Sequence, residues 1–337
     1  MGRPKSSRLM EEIKMAGAKS LGAHFDAFIY RNDNIPKEFY LYESARACLF
    51  AFLQQTKPNK IYIPNYICSA VTDAVELSGV EVARYGINNS FVPEEKITLK
   101  ANDFVLVVNY FGLQSKAVGW FYENHPARQL IIDCSQAFFY ADDQPSAKIY
   151  SPRKFLPVAD GGIIKSPVPL KSCEAEESAS IRRYQYLLGR VAAEPESTRE
   201  SYLQAESELG NISLRRMSEF TRGIINSQDY DLIKKRRVDN FNQLAELNKI
   251  NKIKLDAEGC TPLCYPLMIE GGENIRMKLI EKRVFTPKYW PDVLPVNNFE
   301  KKLTTETIFL PIDHRYGLGE MNFLVDLILK LYQGDVR

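Results

Sequence analysis

The chain has 337 residues, 45% of them hydrophobic, which is enough to bury a large core and to form roughly two domains. Its 44 basic residues nearly balance 42 acidic ones, so the net charge is only +2. This balance disfavours proteins that bind nucleic acid or an anionic membrane through a basic surface. No apolar run approaches the ~20 residues that span a bilayer, and no signal core follows the basic first residues. We therefore expect a soluble, cytoplasmic protein.

Only two of the six cysteines, Cys260 and Cys264, lie close together in sequence. No second pair accompanies them, and the three histidines lie far apart. Structural zinc sites use four ligands at short, paired spacings. The sequence therefore predicts no metal site, and we expect reduced, mostly buried thiols.

The first half of the chain alternates strand-like and helix-like segments. Ser44 can cap a helix that continues to Gln55, and Gly79 can end a second helix over 68–78. Short apolar runs predict strands at 61–63, 80–85, 104–109, 130–133, 147–150 and 163–164. This alternation predicts an α/β fold with a mostly parallel sheet covered by helices. Ligands of such sheets bind at the carboxyl ends of the strands, where Asp133 and Asn109 are expected to lie.

The second half of the chain differs in character. Residues 170–250 are polar and helical, and a linking helix is predicted over 230–247. The remainder predicts a smaller α+β domain with strands at 262–269 and 307–310 and helices at 274–283 and 319–332. The predicted division is an N-terminal segment (1–40), a large domain (41–228), and a linking helix with a small C-terminal domain (229–337).

Two residues predict the chemistry of the site. Asp133 ends an apolar strand, and Lys154 follows it shortly before the double glycine of Asp160-Gly161-Gly162. A pyridoxal-phosphate (PLP) site requires such a pair, because a lysine forms a Schiff base with the cofactor aldehyde and an acid pairs with the ring nitrogen. Taken alone, Lys154 could be a solvated surface residue and Asp133 a strand-end turn acid.

Other polar groups in these segments match the remaining parts of the cofactor. The Gln136 amide could reach the phenolic oxygen. The helix start at 44–47 offers backbone N–H groups to a phosphate, and Ser151 could add a hydroxyl. The plainer alternatives are an ordinary helix cap for Ser44 and a turn residue before proline for Ser151.

Together these segments resemble the DegT-like family of nucleotide-sugar aminotransferases, which are PLP enzymes of fold type I. The resemblance runs from about Tyr42 to Gly162, with a weaker match toward Arg315-Tyr316. Its segments are Ser44-Ala45-Arg46-Ala47, Ile63-Pro64-Asn65-Tyr66-Ile67-Cys68, Asn109-Tyr110-Phe111-Gly112, Asp133-Cys134-Ser135-Gln136-Ala137, Ser151-Pro152-Arg153-Lys154 and Leu310-Pro311-Ile312-Asp313.

The resemblance implies roles for individual residues. Lys154 would be the Schiff-base lysine, Asp133 the partner of the ring nitrogen and Gln136 a contact of the phenolic oxygen. The rest of the implied cofactor-binding set is Ala45, Arg46, Ala47 and Ser151 at the phosphate, with Tyr66, Cys68 and Asn109. The family works as homodimers with sites at the subunit interface, so a second copy is expected to complete the site.

Three positions depart from the family pattern. Cys68 stands where the family has an aromatic residue that stacks on the cofactor ring, and Tyr66 lies two residues away. Ser151 is closer to the lysine than in many members. The histidine or tyrosine that meets the sugar has no clear counterpart, and 288–290 occupies that region.

The sequence thus predicts a PLP-dependent aminotransferase that moves an amino group from an amino acid, glutamate by expectation, to a keto group. The acceptor implied by the resemblance is a nucleotide-linked sugar, for surface polysaccharide or related biosynthesis. One alternative is another PLP reaction on this fold, a dehydratase or epimerase, although related dehydratases replace the lysine with histidine. Another is a PLP-fold binding protein without catalysis.

Overall fold

The structure is a computed structural model that describes residues 34–171, 173–192 and 195–335. The predicted N-terminal segment, 1–40, therefore lies mostly outside the described residues. Within the described ranges, no helix is both long enough and apolar enough to cross a membrane.

A seven-stranded sheet forms the centre of the molecule, in the strand order β1-β7-β6-β5-β4-β2-β3. Five neighbouring strands, from β3 to β6 across the sheet, run parallel, whereas β7 and β1 are antiparallel additions at one edge. The predicted mostly parallel sheet is thus confirmed. The strands are β1 (Tyr40–Tyr42), β2 (Lys60–Pro64), β3 (Glu81–Tyr85), β4 (Asp103–Val108), β5 (Leu130–Asp133), β6 (Ala147–Tyr150) and β7 (Gly162–Lys165).

The middle strands carry the core of this sheet. Every residue of β4, β5 and β6 is buried, as expected for parallel strands that are covered on both faces. Three helices connect the strands: α1 (Ala45–Thr56), α2 (Ser69–Ser78) and α3 (Ser115–Asn124). Helix α1 begins where predicted because the Ser44 hydroxyl accepts a hydrogen bond from Ala47 N, and α2 ends at Gly79, whose φ is 73°.

A helical region follows the sheet and includes the linking helix. Its members are α4 (Glu177–Arg183), α5 (Gln185–Ala192), α6 (Arg199–Gly210), α7 (Glu219–Ser227) and α8 (Tyr230–Gln243). The predicted linking helix over 230–247 is divided, since α8 stops at Gln243 and a 3-10 turn continues from Ala245 to Lys249.

The C-terminal part contains a second, two-stranded antiparallel sheet of β8 (Cys264–Met268) and β9 (Thr307–Pro311). Its helices are α9 (Gly272–Glu281), α10 (Asn298–Thr305) and α11 (Leu318–Asp335). The predicted strands and two of these helices are present, whereas α10 was not predicted. The division into two domains at residue 229 stays a prediction.

Candidate active site

A cavity of about 320 Å³ lies at the carboxyl ends of the parallel strands. The sequence predicts that ligand-binding groups from five separate chain segments meet at this edge of the sheet. Seven of the predicted site residues line this cavity, together with the helix-capping Ser44: Ala45, Arg46, Cys68, Asp133, Gln136, Ser151 and Lys154. Tertiary structure therefore brings most of the predicted site together.

Asp133 occupies the last position of β5, the central strand of the seven. The residue is 9% exposed, and its Oδ1 accepts a hydrogen bond of 2.8 Å from Ser135 N. The strand end and this turn fix the direction of the side chain. A carboxylate held in this way can pair with a cationic or protonated ligand atom in the cavity.

Gln136 lies three residues further on and is 1% exposed. Its Oε1 accepts a hydrogen bond of 2.8 Å from Phe111 N, which orients the amide. Its Nε2 is buried and has no hydrogen-bond partner among the described residues. A buried donor without a partner costs free energy of about 1–3 kcal/mol, so a ligand that accepts from Nε2 would be favoured.

Lys154 ends a 3-10 turn that begins at Pro152, and its side chain is exposed toward the cavity. The backbone carbonyl of Lys154 accepts a hydrogen bond of 3.5 Å from Arg237 on α8. The Arg237 guanidinium also lies 4.5 Å from the ring centre of Phe155. The buried Arg237 thus holds the backbone of the turn in place, while the amine of Lys154 remains accessible from the cavity.

The start of α1 forms another wall of the cavity. Ser44 caps the helix through Ala47 N, which leaves the N–H groups of Ala45 and Arg46 in the first turn without intrahelical acceptors. Such a helix start binds anions, phosphate above all. Gly162 permits this arrangement, because a Cβ there would lie 2.2 Å from Ser44 C.

A buried ion cluster supports the same helix start. Arg183 of α4 lies 3.2 Å from Glu43 and 3.1 Å from Asp160, the acid before the double glycine. Ser213 donates to Glu43, and Thr221 donates to Asp160. The cluster therefore joins the residue before the Ser44 cap to the loop before β7, and it fixes both sides of the predicted phosphate site.

Three residues of the predicted set do not line the cavity. Ala47 is fully buried behind the helix start. Tyr66 is fully buried and packs edge-on against Trp290, with ring centres 4.7 Å apart. Asn109 is fully buried, and its Oδ1 accepts from Gln114 N at 2.9 Å. These three residues therefore pack behind the residues that line the cavity.

The structure adds cavity residues that the sequence did not reveal. Arg153 belongs to the Ser151-Pro152-Arg153-Lys154 segment, but the resemblance implies no role for its side chain. Tyr186, Tyr202 and Glu206 reach the cavity from α5 and α6. Trp290 reaches it from the C-terminal part, within the 288–290 segment that the resemblance assigns to the sugar-binding region. The sequence of α5 and α6 gives no signal for this, because only tertiary packing returns these helices to the strand ends.

Among the described residues, no group of three or more histidines, cysteines or acids is placed to hold a metal ion. The six cysteines are free thiols, and Cys48, Cys134 and Cys264 are buried. Cys68 lines the cavity at the N-cap position of α2, where the family pattern has an aromatic residue. The aromatic side chains of the cavity are instead Tyr186, Tyr202 and Trp290.

No protein-family model matches the chain, and no curated protein matches it in sequence. Solved structures do match it. PseC of Helicobacter pylori, an aminotransferase involved in the biosynthesis of pseudoaminic acid, is 13% identical with a TM-score of 0.63, and the match covers 99% of this chain and 98% of PseC. The aminotransferase TlmJ of Streptoalloteichus hindustanus is 13% identical with a TM-score of 0.62, covering 100% of this chain and 98% of TlmJ.

A third match is NtdA of Bacillus subtilis, whose structure contains the bound cofactor PMP. It is 17% identical with a TM-score of 0.61, and the match covers 88% of this chain and 73% of NtdA. The chain has the fold of the PLP-dependent aminotransferases. Identities this low establish the fold, and the activity has to be argued from the site.

The residues of the cavity fit the cofactor of that fold. PLP presents a ring nitrogen, an aldehyde, a phenolic oxygen and a phosphate, and each has a chemical counterpart in the cavity wall. Asp133 suits the nitrogen, Lys154 the aldehyde, the unpartnered Gln136 Nε2 the phenolic oxygen and the start of α1 the phosphate. The unpartnered buried donor is the observation that favours a bound group most directly.

Proposed function

We propose that the chain is a PLP-dependent aminotransferase that acts on a keto sugar linked to a nucleotide. The observation that carries the proposal is the convergence of Asp133, Gln136, Lys154 and the start of α1 on one cavity of an aminotransferase fold. An amino acid would give up its amine and leave as the 2-keto acid, and the keto sugar would take the amine. Each turnover thus exchanges one amino group for one carbonyl oxygen.

The residues divide the work as follows. Lys154 would hold the cofactor and would carry a proton to and from the reacting carbon. Asp133 would keep the ring nitrogen protonated, and Gln136 would donate to the phenolic oxygen. The start of α1, with the Ser151 hydroxyl, anchors the phosphate. When bound, PLP supplies the electron sink that makes the reacting C–H bond acidic.

The substrates are proposed from charge and from the solved structures. The cavity carries Arg46, Arg153 and Lys154 against Asp133 and Glu206, and two helices begin at it, so it favours anionic ligands. Glutamate as donor and a nucleotide sugar as acceptor are anionic, and the similar protein PseC is an aminotransferase involved in the biosynthesis of pseudoaminic acid. We place the reaction in surface polysaccharide or related biosynthesis in the cytoplasm.

A second copy of the chain is proposed to complete the site. Exposed apolar side chains lie on the two helices that also supply cavity residues: Leu188 and Val191 on α5, and Leu203 on α6. Val191 is 87% exposed. Association through this surface would bury it next to the cavity, and sedimentation should then give twice the mass of one chain.

Reduction of the purified protein with borohydride tests the cofactor assignment. The hydride fixes a lysine-bound cofactor permanently, so mass spectrometry should find the cofactor mass on the peptide that contains Lys154. Lys154→Ala should abolish both this adduct and amine transfer from glutamate. Lys171→Ala, which removes an exposed lysine outside the cavity, should change neither. An unlabelled Lys154 in protein supplied with PLP would contradict the proposal.

A further inference from the structure

An ion pair stands in the cavity wall beside the proposed reacting lysine. Arg153, the residue before Lys154, contacts Glu206 of α6 through its guanidinium. Both side chains line the cavity, and their exposed fractions are 18% and 30%. The pair therefore faces the space in which substrates would bind.

The guanidinium of Arg153 is largely removed from solvent, so its charge is stable only next to an anion. Tyr186 and Tyr202 lie in the same wall, with ring centres 5.4 Å apart. Burial lowers the pKa of Arg153. Burial raises the pKa of Tyr186, although the positive charge of Arg153 nearby acts in the opposite direction. The guanidinium still remains charged at neutral pH, and an unpaired buried charge is costly.

Arg153 has donor capacity that Glu206 does not use. Its Nε is buried and has no hydrogen-bond partner among the described residues. A guanidinium binds a carboxylate best through two parallel N–H groups. The side chain is thus suited to a second, incoming carboxylate.

The proposed reaction creates a specific need for such a group. One cavity has to accept an α-amino acid and then a ketone with no carboxylate beside its reacting carbon. The α-carboxylate of the donor is attached to the carbon that carries the transferred amine. It must therefore bind close to Lys154, and Arg153 is the adjacent residue in the same wall.

We propose that Arg153 binds the α-carboxylate of the amino donor, and that Glu206 takes the place of this carboxylate when the acceptor occupies the cavity. The inference rests on the proposed function and adds the recognition of one substrate class. Glu206 is part-exposed on a helix, so it can turn toward solvent when the donor arrives. The arginine then has an anionic partner in both halves of the reaction.

Binding to the holoprotein tests this, measured in the absence of a keto acceptor. Calorimetry would compare 2-methylglutamate, which has the α-carboxylate but no transferable α-hydrogen, with 4-aminobutyrate, which is glutamate without that carboxylate. Arg153→Met should weaken binding of 2-methylglutamate by about 10–100-fold, the range for charged hydrogen bonds. Binding of 4-aminobutyrate should change little. Arg153→Lys keeps the charge but cannot form two parallel hydrogen bonds, so its affinity for 2-methylglutamate should lie between those of the wild type and Arg153→Met.

Glu206→Gln gives an effect of opposite sign. Removal of the competing carboxylate should tighten binding of 2-methylglutamate by about 3–10-fold, a gain that a misfolded protein cannot produce. The matched controls are Arg182→Met on α4 and Glu200→Gln on α6, both exposed and outside the cavity. Neither should alter the binding of either ligand.

The outcomes separate this inference from the proposed function. Borohydride labelling of Lys154 is measured on each sample first, and an unlabelled wild type overturns the proposed function itself. With labelling intact, unchanged affinity for 2-methylglutamate in Arg153→Met overturns the inference. An equal loss for both ligands also overturns it, because Arg153 would then act as a structural tie to α6 or bind another anion.

Discussion

At the scale of single residues, Gly162 decides how closely two parts of the site can approach. It begins β7, and its Cα faces the backbone of Ser44 and Ala45 at the start of α1. A Cβ would lie 2.2 Å from Ser44 C and O and 2.5 Å from Ala45 N. These neighbours are backbone atoms that also form the proposed phosphate site, so they cannot move aside without changing it.

We expect Gly162→Ala to lower the free energy of unfolding by about 1–3 kcal/mol or more, the usual cost of overpacking. It should also weaken PLP binding, because α1 must move. Urea unfolding and PLP titration measure the two effects. Gly119→Ala, in the middle of α3 with no atom near the added Cβ, should be neutral or stabilising by about 0.5–1 kcal/mol. If the two variants had the same free energy of unfolding and the same affinity for PLP, Gly162 would not be what allows the close approach of β7 and α1.

At the scale of elements, α10 is fixed to the large sheet through one buried acid. Glu300 is fully buried and accepts hydrogen bonds from Asn65 Nδ2 (2.9 Å), Ile87 N (3.0 Å) and Val296 N (3.0 Å). Asn65 follows β2, and Ile87 follows β3. The segment that contains Trp290 leads into α10, so this contact also holds an aromatic residue of the cavity in place.

Glu300→Ala should lower the free energy of unfolding by about 3–5 kcal/mol, because three buried donors lose their acceptor and a void remains. Trp290 should become more mobile, which its fluorescence would report in a background with Trp120 replaced by Phe. Lys301→Ala, an exposed change on the same helix, should stay within about 0.5 kcal/mol of the wild type. A loss below about 1 kcal/mol in Glu300→Ala would show that this contact does not hold α10.

Elements with strong local signals were predictable, and those without them were not. The strands β5 and β6 match the predicted ranges: β5 is an apolar run that ends on Asp133, and β6 is apolar except for Lys148. The helix after Ser44 is correct within a residue, since its cap is local. β1 has only three residues and α10 only eight, so neither has enough periodicity to stand out. Their pairing with distant segments stabilises them.

At the scale of the whole molecule, Arg237 links the two sheets. It lies on α8, is 2% exposed, and donates to Pro262 O (3.3 Å) and Leu263 O (3.0 Å) just before β8. It also donates to the carbonyl of Lys154. Burial lowers its pKa to about 10, so it remains charged at neutral pH. One side chain thus joins the proposed reacting turn to the C-terminal part.

Arg237→Met should weaken this link while keeping the volume of the side chain. We expect the free energy of unfolding to fall by about 2–4 kcal/mol, since several buried carbonyls lose a charged donor. The turn at Lys154 should loosen, so the pH dependence of the lysine-bound cofactor spectrum should shift. Arg236→Met, an exposed neighbour on α8, is the matched control and should leave both measurements unchanged. A stability loss without the spectral shift would leave Arg237 a purely structural residue.

The amino-acid sequence is sufficient to predict the alternation of strands and helices, the strand-end acid, the lysine before the double glycine and the helix start at Ser44. These features are local, because periodicity, caps and turns depend on residues near in sequence. The positions of Tyr186, Tyr202 and Glu206 in the cavity wall, and the pairing of Arg153 with Glu206, follow from the three-dimensional packing alone. Those contacts join residues far apart in the chain, and the packing of α5, α6 and the C-terminal part against the sheet brings them together.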